Sequence, residues 1–150
     1  MQKIQESQLA PNISVENGDL FKVDEKYYLA HCISSDCALG AGIAVQFEKK
    51  FHLRKKLQSL GAGALKYPVC IRIGRIFNLI TKEKYYHKPT LQSLRTSVEY
   101  MRDMAIEKEI NYIAMPAIGC GLDKLQWKDV SQVLIDVFQD TDINVLVYFL

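Results

Sequence analysis

Residues 116–123 read PAIGCGLD, and they lie between two segments that each predict regular structure. The preceding run, NYIAM, is short and apolar like a buried strand, and the following run, WKDVSQVLIDVF, has apolar residues at helical spacing. A junction with two glycines, a cysteine and a carboxylate has two interpretations. It is an ordinary strand-to-helix turn, or it is a pocket in which backbone N–H groups hold an anion while the carboxylate does chemistry.

The rest of the second half also alternates between helix-like and strand-like segments. PVCIRIG and RIFNLIT read as two strands joined at Gly74 in a hairpin. From Thr90, a suitable N-cap, apolar residues recur at steps of three and four, as on one face of a helix. These apolar positions are Leu91, Leu94, Val98, Met101 and Ala105. After the last helix-like run comes a final strand-like run, INVLVYFL.

The first half supplies strand-like ISVENGDLF and YYLAHCI and then helix-like GAGIAVQFEKKFHLRKKLQSL. The whole pattern predicts an α/β fold whose mixed or mainly parallel sheet is covered by helices on both faces. In open sheets of this kind, ligands bind beyond the carboxyl ends of the strands. We therefore expect the functional loops after Ile33, Ile80 and Met115.

Length and composition limit the class of protein. A chain of 150 residues with 49% hydrophobic and 24% charged residues fits one globular domain. We place this domain at residues 12–150, after a flexible N-terminal arm over residues 1–11. No apolar run approaches the roughly 20 residues that span a bilayer, and no signal-like segment opens the chain. We therefore expect an intracellular monomer with no membrane partner.

Charge and cysteine content argue against two further classes. A formal net charge of +2 provides no broad field for a nucleic-acid backbone. The basic cluster at residues 49–56 is interpreted as a solvated helix face, with the rim of a site for a phosphorylated ligand as the alternative. The four cysteines include no CxxC pair, so no metal site is expected.

Glycines mark the loops at the predicted ligand edge. Residues 34–42, SSDCALGAG, follow one strand-like run, and Gly119 and Gly121 follow another. The spacing does not fit the dinucleotide fingerprint GxGxxG, and no P-loop GK[ST] occurs. Two such loops at one sheet edge can hold the two phosphates of a diphosphate, because glycine lets the backbone approach a ligand closely. Ordinary turns are the alternative.

Two polar residues stand at the same predicted edge. Lys82 leaves a buried strand and is either an exposed charge, a phosphate contact or an amine nucleophile toward an anomeric carbon. Asp123 is either a cap of the last helix or of the turn before it, or a general acid or base. His31 is interpreted as a packed, hydrogen-bonded core histidine, and Cys32 and Cys120 as small hydrophobic residues.

Taken together, several segments resemble the macrodomain family, and within it the terminal ADP-ribose protein glycohydrolases. They are, in order, NGDLF, LAHCISSDCALGAGIAVQFEKKF, LITK, HKPT and PAIGCGLDKLQW. The likeness runs from about Ile13 to the C-terminal residue. It implies a three-layer α/β/α macrodomain with a mixed central sheet that binds ADP-ribose beyond the strand ends.

The resemblance also implies roles for individual residues. Lys82 of LITK matches the catalytic lysine, and Asp123 of GCGLD matches the catalytic acidic residue. Asp19 and Leu20 of GDLF match adenine contacts. The other ligand-binding positions that it implies are His31, Ser34, Gly40, Gly42, Ile43, Thr81, Pro116, Ile118, Gly119, Cys120, Gly121, Leu122 and Leu150.

The activity that the resemblance implies is removal of ADP-ribose from modified Glu or Asp. The lysine attacks C1″ of the distal ribose and releases the carboxylate, and the aspartate helps to resolve the lysyl adduct. O-acetyl-ADP-ribose and ADP-ribose on DNA bases are related substrates. The implied partners are thus ADP-ribose, ADP-ribosylated proteins and ADP-ribosylated DNA in nucleus and cytoplasm. No metal or cofactor is required.

Two alternatives use the same pocket. One is a non-catalytic module that binds ADP-ribose, and the other is a phosphatase acting on ADP-ribose 1″-phosphate. The chain departs from the family pattern Pro-Arg-Ile-Gly-Cys-Gly at Ala117, where the arginine is missing. A charge-assisted contact is worth roughly 1.5–3 kcal/mol when partly buried, so we expect weaker affinity or an altered substrate preference. Lys82 and Asp123 are present, so we expect catalysis to be retained.

Overall fold

The computed structural model describes residues 7–149, within which seven strands form one mixed sheet in the order β1-β2-β7-β6-β3-β5-β4. The strands are β1 (Ser7–Ala10), β2 (Ile13–Asn17), β3 (Tyr28–Ser34), β4 (Val69–Ile73), β5 (Ile76–Lys82), β6 (Tyr112–Pro116) and β7 (Asn144–Phe149). The five central strands, from β2 to β5 in sheet order, are parallel, and the two edge strands are antiparallel to their neighbours. The predicted mixed sheet is confirmed.

Helices cover both faces of this sheet. They are α1 (Ile43–Phe51), α2 (Leu53–Gln58), α3 (Leu91–Glu107) and α4 (Trp127–Phe138), with short 3₁₀ turns at Leu20–Lys22 and Ala62–Leu65. One hydrophobic cluster fills the space between the sheet and α3 and α4, and includes Phe77, Leu94 and Leu134. A second cluster on the opposite face includes Phe47 and Leu57 of α1 and α2. The two clusters define the three layers, since each sheet face buries apolar side chains against helices.

Local signals fix several element boundaries as predicted. The Thr90 hydroxyl accepts a hydrogen bond from the Ser93 N–H at 2.9 Å, and the Ser93 hydroxyl accepts one from the Thr90 N–H at 3.1 Å. This reciprocal capping satisfies two N–H groups that would otherwise lack partners at the start of α3. Strands β4 and β5 pair as the predicted hairpin around Gly74, whose φ of 58° suits glycine.

Two predictions of local structure need correction. The arm predicted over residues 1–11 is wrong for Ser7–Ala10, which pair with β2 as an edge strand and pack against the core through Leu9 and Ala10. Residues 1–6 lie outside the described part of the chain. The predicted helical region over residues 40–60 divides into α1 and α2 at His52, which has a left-handed φ of 53°.

The strand order brings three predicted loops together. β6, β3 and β5 are neighbours in the sheet, so their carboxyl ends at Pro116, Ser34 and Lys82 lie along one edge. Just beyond the end of β3, the Ser35 N–H donates to the Lys82 carbonyl at 2.9 Å, which continues the pairing of β3 with β5. No helix in residues 7–149 is both long enough and apolar enough to cross a membrane.

Candidate active site

A cavity of about 760 Å³ opens at this edge of the sheet. Its walls come from the ends of β3, β5, β6 and β7 and from two loops that contain glycines. We call residues 35–42 the first glycine loop and residues 117–126 the second glycine loop. The site therefore lies where parallel α/β sheets generally bind ligands.

A lysine and an aspartate meet in the wall of the cavity. The Lys82 Nζ atom lies 2.6 Å from Asp123 Oδ1, and each side chain is 13% exposed. Lys82 is the last residue of β5, and the six residues before it in that strand are buried, which fixes the backbone from which it projects. Asp123 does not cap α4, because Gln126 occupies the N-cap. The interpretation of Asp123 as the cap of the last helix is therefore wrong, whereas its role in the preceding turn stays a prediction.

The second glycine loop is closed by its own backbone. The Leu125 N–H donates to the Gly119 carbonyl at 2.7 Å, and the Cys120 N–H donates to the Ala117 carbonyl at 3.2 Å. Gly119 has a left-handed φ of 72°, and a Cβ placed there would lie 2.9 Å from Leu125 Cδ1. Only glycine adopts this turn without strain, so the glycine serves to present Asp123 on a tight loop.

The first glycine loop is held open by an arginine. Arg54 Nε donates to the Cys37 carbonyl at 3.2 Å, and Nη2 donates to the Ala38 carbonyl. Gly42, with a φ of 59°, is the N-cap of α1, and no side chain among residues 7–149 caps its amides. The first N–H groups of α1 border the cavity through Ile43 and are therefore available to an anion.

Asp36 ties the first glycine loop to the segment after β5. Its Oδ1 accepts from the Ser34 hydroxyl at 2.5 Å and from the Ala38 N–H at 3.2 Å, and its Oδ2 accepts from the Tyr85 N–H at 2.9 Å. Partial burial acts to raise the pKa of Asp36, but these hydrogen bonds outweigh it and hold that pKa below its ordinary value. Asp36 is therefore an ionised anchor for both walls.

The two glycine loops approach each other across the cavity. A Cβ placed at Gly42 would lie 3.4 Å from Cδ1 of Leu122, and the Leu122 side chain remains 61% exposed. The Lys88 ammonium donates to the Leu122 carbonyl at 2.6 Å, which fixes the second loop to the segment before α3. The Leu122 side chain therefore lies next to the start of α1 at the cavity.

The structure brings most of the predicted site residues to this cavity. Those in its lining are Ser34, Gly40, Gly42, Ile43, Lys82, Pro116, Ile118, Gly119, Cys120, Gly121, Leu122 and Asp123. Asp19, Leu20, His31 and Thr81 do not line it, and Leu150 lies outside the described residues.

The predicted residues away from the cavity have structural roles. Asp19 accepts the Phe21 N–H at 2.9 Å as the cap of a 3₁₀ turn, and Leu20 and Thr81 are fully buried. His31 is also fully buried, stacks on Phe47 with ring centroids 3.9 Å apart, and pairs through Nε2 with the Asn78 side-chain oxygen at 2.7 Å. The interpretation of His31 as a core histidine is confirmed.

Burial controls the ionisation of the histidine and the cysteines. Burial lowers the pKa of His31 to about 4, although its hydrogen bond to Asn78 acts in the opposite direction. It raises the pKa of the Cys120 thiol to about 11. Burial also raises the pKa of the Cys32 thiol, and the nearby Asp123 carboxylate adds to this effect. Both thiols lining the cavity are thus protonated at neutral pH, which disfavours them as nucleophiles.

Sequence reasoning missed four residues with large side chains in the lining: Tyr85, Lys88, Tyr148 and Phe149. Tyr148 and Phe149 lie at the carboxyl end of β7. The rule that ligands bind beyond the carboxyl ends of strands, which predicted the other loops, therefore also applies to this strand. Tyr85 and Lys88 follow Lys82 closely, and the exposed aromatic and basic character of that segment was the available signal. Within residues 7–149, no group of three His, Cys, Asp or Glu side chains is placed to hold a metal ion.

Comparison with known proteins agrees with the fold. Residues 30–134 match the family described as Macro domain. The chain belongs to the macro domain family. One relative of this macrodomain, ADP-ribose glycohydrolase OARD1 of Homo sapiens, is 45% identical over 139 residues, which cover 92% of this chain and 91% of that protein. The DNA ADP-ribosyl glycohydrolase of Mycobacterium tuberculosis is 25% identical over 147 residues, which cover 91% of this chain and 42% of that protein.

Solved structures confirm the macrodomain fold. The macrodomain of Mycobacterium tuberculosis DarG matches with a TM-score of 0.84 at 23% identity, covering 92% of this chain and 97% of that one. Thermosipho africanus DarTG in complex with ADP-ribose matches with a TM-score of 0.82 at 18% identity, covering 97% of this chain and 43% of that one. The three-layer architecture is therefore shared although most residues differ.

Proposed function

We propose that this macrodomain is a hydrolase that removes ADP-ribose from modified Glu and Asp side chains. The observation that carries the proposal is the contact of 2.6 Å between Lys82 and Asp123 in the wall of the cavity, flanked by both glycine loops. The 45% identity to a protein named ADP-ribose glycohydrolase, over nearly the full length of both chains, supports it.

The cavity has the size and the groups that ADP-ribose requires. Its volume of about 760 Å³ lies within the range of roughly 300–1,000 Å³ for small-molecule sites. The start of α1 and the second glycine loop both line the cavity, and backbone N–H groups of these segments that are not bonded within the loop can hold the two phosphates of the diphosphate. The distal ribose would then lie beside Lys82 and Asp123.

In the first step, Asp123 accepts a proton from Lys82 along their short contact, and the free amine attacks C1″ of the distal ribose. A bond forms between Nζ and C1″, and the bond from C1″ to the acyl oxygen breaks. The electron pair of the broken bond leaves with the Glu or Asp carboxylate. The protein side chain is thereby restored, and ADP-ribose is attached to the lysine.

In the second step, the adduct nitrogen passes a proton to the ring oxygen, which leaves C1″ as a hydroxyl, and the adduct becomes a protonated Schiff base. Asp123, after releasing to water the proton that it took in the first step, serves as the base for the water that adds to C1″, and loss of the amine regenerates Lys82. The net reaction consumes one water and yields ADP-ribose and a free carboxylate. The same attack at C1″ would cleave a bond to a DNA base, and acyl esters such as O-acetyl-ADP-ribose are related substrates.

The proposal is tested by turnover and by trapping. Wild type and Lys82→Ala are incubated with glutamate-linked ADP-ribosylated peptide, and binding of ADP-ribose to each is measured by calorimetry. We expect release of ADP-ribose by wild type only, with binding retained by Lys82→Ala. Borohydride should reduce the Schiff base and leave a peptide containing Lys82 with the added mass of ADP-ribose.

Other results would point to the alternative functions. If wild type binds ADP-ribose but releases it from no acyl or base linkage, the macrodomain is a binding module. Release of phosphate from ADP-ribose 1″-phosphate, without release of ADP-ribose from peptide, would instead indicate a phosphatase. If wild type turned over substrate but borohydride trapped no lysine adduct, the macrodomain would still be a hydrolase, but Lys82 would not be its nucleophile.

A further inference from the structure

An exposed aromatic turn lies between β5 and α3. Residues 83–88, EKYYHK, are all exposed, and Tyr85 and Tyr86 are 65% and 66% exposed. The Tyr85 and Tyr86 rings lie 5.2 Å apart, and the Tyr86 and His87 rings lie 4.8 Å apart. Tyrosine usually buries much of its ring, so three adjacent rings facing solvent indicate a binding surface. We call residues 84–87 the aromatic turn.

The aromatic turn is fixed to the rest of the protein. The Tyr85 N–H donates to Asp36 Oδ2 at 2.9 Å, and the His87 N–H donates to the Lys84 carbonyl at 3.0 Å. The Lys84 N–H donates in turn to His87 Nδ1 at 3.3 Å. The rings therefore project from a backbone that is already ordered, which lowers the entropy cost of binding a ligand there.

The turn also adjoins the reactive end of the cavity. Tyr85 and Lys88 line the cavity, and they follow Lys82 by only three and six positions. If Lys82 reacts at C1″, the distal ribose lies at this end of the cavity, and the macromolecule attached to C1″ must extend from this end into solvent. This step rests on the proposed function, and it places the aromatic turn against the modified macromolecule rather than against the adenosine of ADP-ribose.

The chemistry of the turn fits one class of macromolecule. Exposed aromatic rings stack on unpaired bases, and the ammonium groups of Lys84 and Lys88 attract phosphates. Glu83 is the one acidic residue in the segment. An acidic peptide would use the lysines but would leave the three rings unused. We propose that the aromatic turn binds single-stranded nucleic acid next to an ADP-ribosylated base, so that such strands are preferred substrates.

Binding of an unmodified strand tests the surface without any turnover. A short fluorescent single-stranded DNA is titrated by anisotropy with wild type, Tyr86→Ala, Tyr86→Phe and Tyr100→Ala. Tyr100 is the matched control, because it is 49% exposed and lies on α3, outside the turn. We expect Tyr86→Ala to weaken binding about tenfold, since one base stacked on one ring accounts for an effect of this order. Tyr86→Phe and Tyr100→Ala should bind like wild type.

The charge of the turn is tested by salt dependence. Each phosphate contact adds about 0.7 to the slope of log K against log salt for a single strand. Lys84→Gln should therefore lower the slope by about this amount and leave binding of free ADP-ribose unchanged. Lys84 is suited to the test because it does not line the cavity.

Turnover then tests the preference for strands. Wild type and Tyr86→Ala are compared on an ADP-ribosylated oligonucleotide, on the ADP-ribosylated mononucleoside with the same linkage, and on glutamate-linked peptide. We expect kcat/KM to fall about tenfold on the oligonucleotide only, because the other two substrates present no flanking base. Tyr86 does not line the cavity, so the other two rates should remain unchanged.

Three outcomes would overturn the inference: no effect of Tyr86→Ala on DNA binding, an equal loss on all three substrates, or a loss on the peptide alone. The last would make the turn a peptide-binding surface. Failure of the proposed function is distinguishable from these. If wild type releases ADP-ribose from no substrate but the Tyr86 variants still differ in DNA binding, the surface stands and the hydrolase proposal fails.

Discussion

Two polar pairs connect β5 to its surroundings, and they differ in charge and in burial. His31 on β3 and Asn78 on β5 are both fully buried and lie 2.7 Å apart. Lys82 at the end of β5 and Asp123 lie 2.6 Å apart, and each is 13% exposed at the cavity. The first pair is neutral, because burial lowers the pKa of His31 to about 4.

The difference follows from the cost of removing charge from water. A charged pair in the middle of the sheet would pay a large desolvation penalty, whereas a neutral imidazole and an amide need only a hydrogen bond. Asn78 also donates to the Ile71 carbonyl at 3.1 Å, so the neutral pair links three strands. The charged pair is tolerated because it retains contact with the cavity. We therefore assign the first pair to stability and the second to chemistry.

Asp123→Asn gives the largest expected effect. The substitution keeps the shape of the side chain but removes the carboxylate that we propose as the acceptor of the Lys82 proton and as the base that activates water. Loss of a general base typically costs about 10²- to 10⁴-fold, so we expect kcat on glutamate-linked peptide to fall by about 10³-fold. The free energy of unfolding should fall by less than the roughly 3–5 kcal/mol that breaking a buried pair costs, because the asparagine oxygen still accepts a hydrogen bond from Lys82. Rapid-quench turnover and urea unfolding measure the two quantities.

The matched variant is His31→Gln, which alters the buried pair and leaves the cavity intact. It should lower the free energy of unfolding and leave kcat of the folded protein within about twofold of wild type. If His31→Gln instead abolished turnover in a folded protein, or if Asp123→Asn mainly reduced stability, the division between the two pairs would be wrong.

The buried pair should make stability depend on pH. The pKa of His31 is about 4 in the folded protein against 6.5 in the unfolded chain, so only the unfolded chain gains the proton between these values. Stability from this residue is thus complete above pH 6.5, falls as pH drops toward 4 and falls no further below it. The loss amounts to about 3 kcal/mol. Urea midpoints at several pH values measure it.

The physical reason is first that burial disfavours the charged imidazole, and also that protonated His31 would carry a second N–H with no acceptor. In the neutral ring, Nδ1 has no hydrogen-bond partner among residues 7–149. Wild type and His31→Gln should therefore differ most at neutral pH, and the difference should shrink or reverse near pH 4.5. Parallel pH profiles for the two proteins would show that other groups control acid unfolding.

Most of the fold could be predicted from the sequence, because periodic apolar patterns and caps are local signals. The start of α3 at Thr90 and the hairpin at Gly74 are examples. Strand Ser7–Ala10 was missed, because a short edge strand with a polar, exposed start lacks the alternation that marks a half-buried strand. Its pairing with β2 is a tertiary contact that no local pattern encodes.

The loops of the site could be predicted from the sequence, but the contacts between their side chains could not. Strand ends led to the loops holding Lys82 and Asp123, but only the fold shows that the two side chains touch. Asp19 and Leu20 are expected to contact the ligand, but neither lines the cavity; Asp19 caps a turn, Leu20 is buried, and their contact with the ligand stays a prediction. The direction of a side chain depends on packing, which spacing along the chain does not determine.

Gly119→Ala should affect both the stability of the core and the binding of ligand in the cavity, because the second glycine loop joins the two. A Cβ at this residue would meet Leu125 at 2.9 Å and the buried Leu94 at 3.6 Å, in a backbone with φ of 72°. A left-handed alanine costs about 1–2 kcal/mol, so we expect this loss of stability together with weaker binding of ADP-ribose. Gly121→Ala is the control, since no atom lies within 4 Å of a Cβ there.

Thermal unfolding and calorimetry measure the two effects of Gly119→Ala. If stability fell but binding of ADP-ribose did not, the loop conformation would matter only to the fold. If the control lost binding as strongly as Gly119→Ala, steric contact with the ligand rather than loop strain would explain the result.

Ala117→Arg should have the smallest effect and should act on the cavity alone. Ala117 lines the cavity, and the family pattern has arginine at this position. A guanidinium in this wall would meet the diphosphate, and since the site is open to water we expect a gain of roughly 1 kcal/mol, or about fivefold in Kd for ADP-ribose. Ala117→Gln adds length without charge and should bind like wild type.

The salt dependence of ADP-ribose binding distinguishes an effect of the charge of the introduced arginine from an effect of its size. A gain that comes from the new charge must shrink as ionic strength rises, because salt screens a partly exposed contact. The free energy of unfolding should stay within about 0.5 kcal/mol of wild type, since the residue does not contribute to the buried pair. If the gain in affinity for ADP-ribose persisted at high salt, or if Ala117→Gln showed it too, the arginine would act through its size. Its charge would then contribute nothing to binding of the diphosphate.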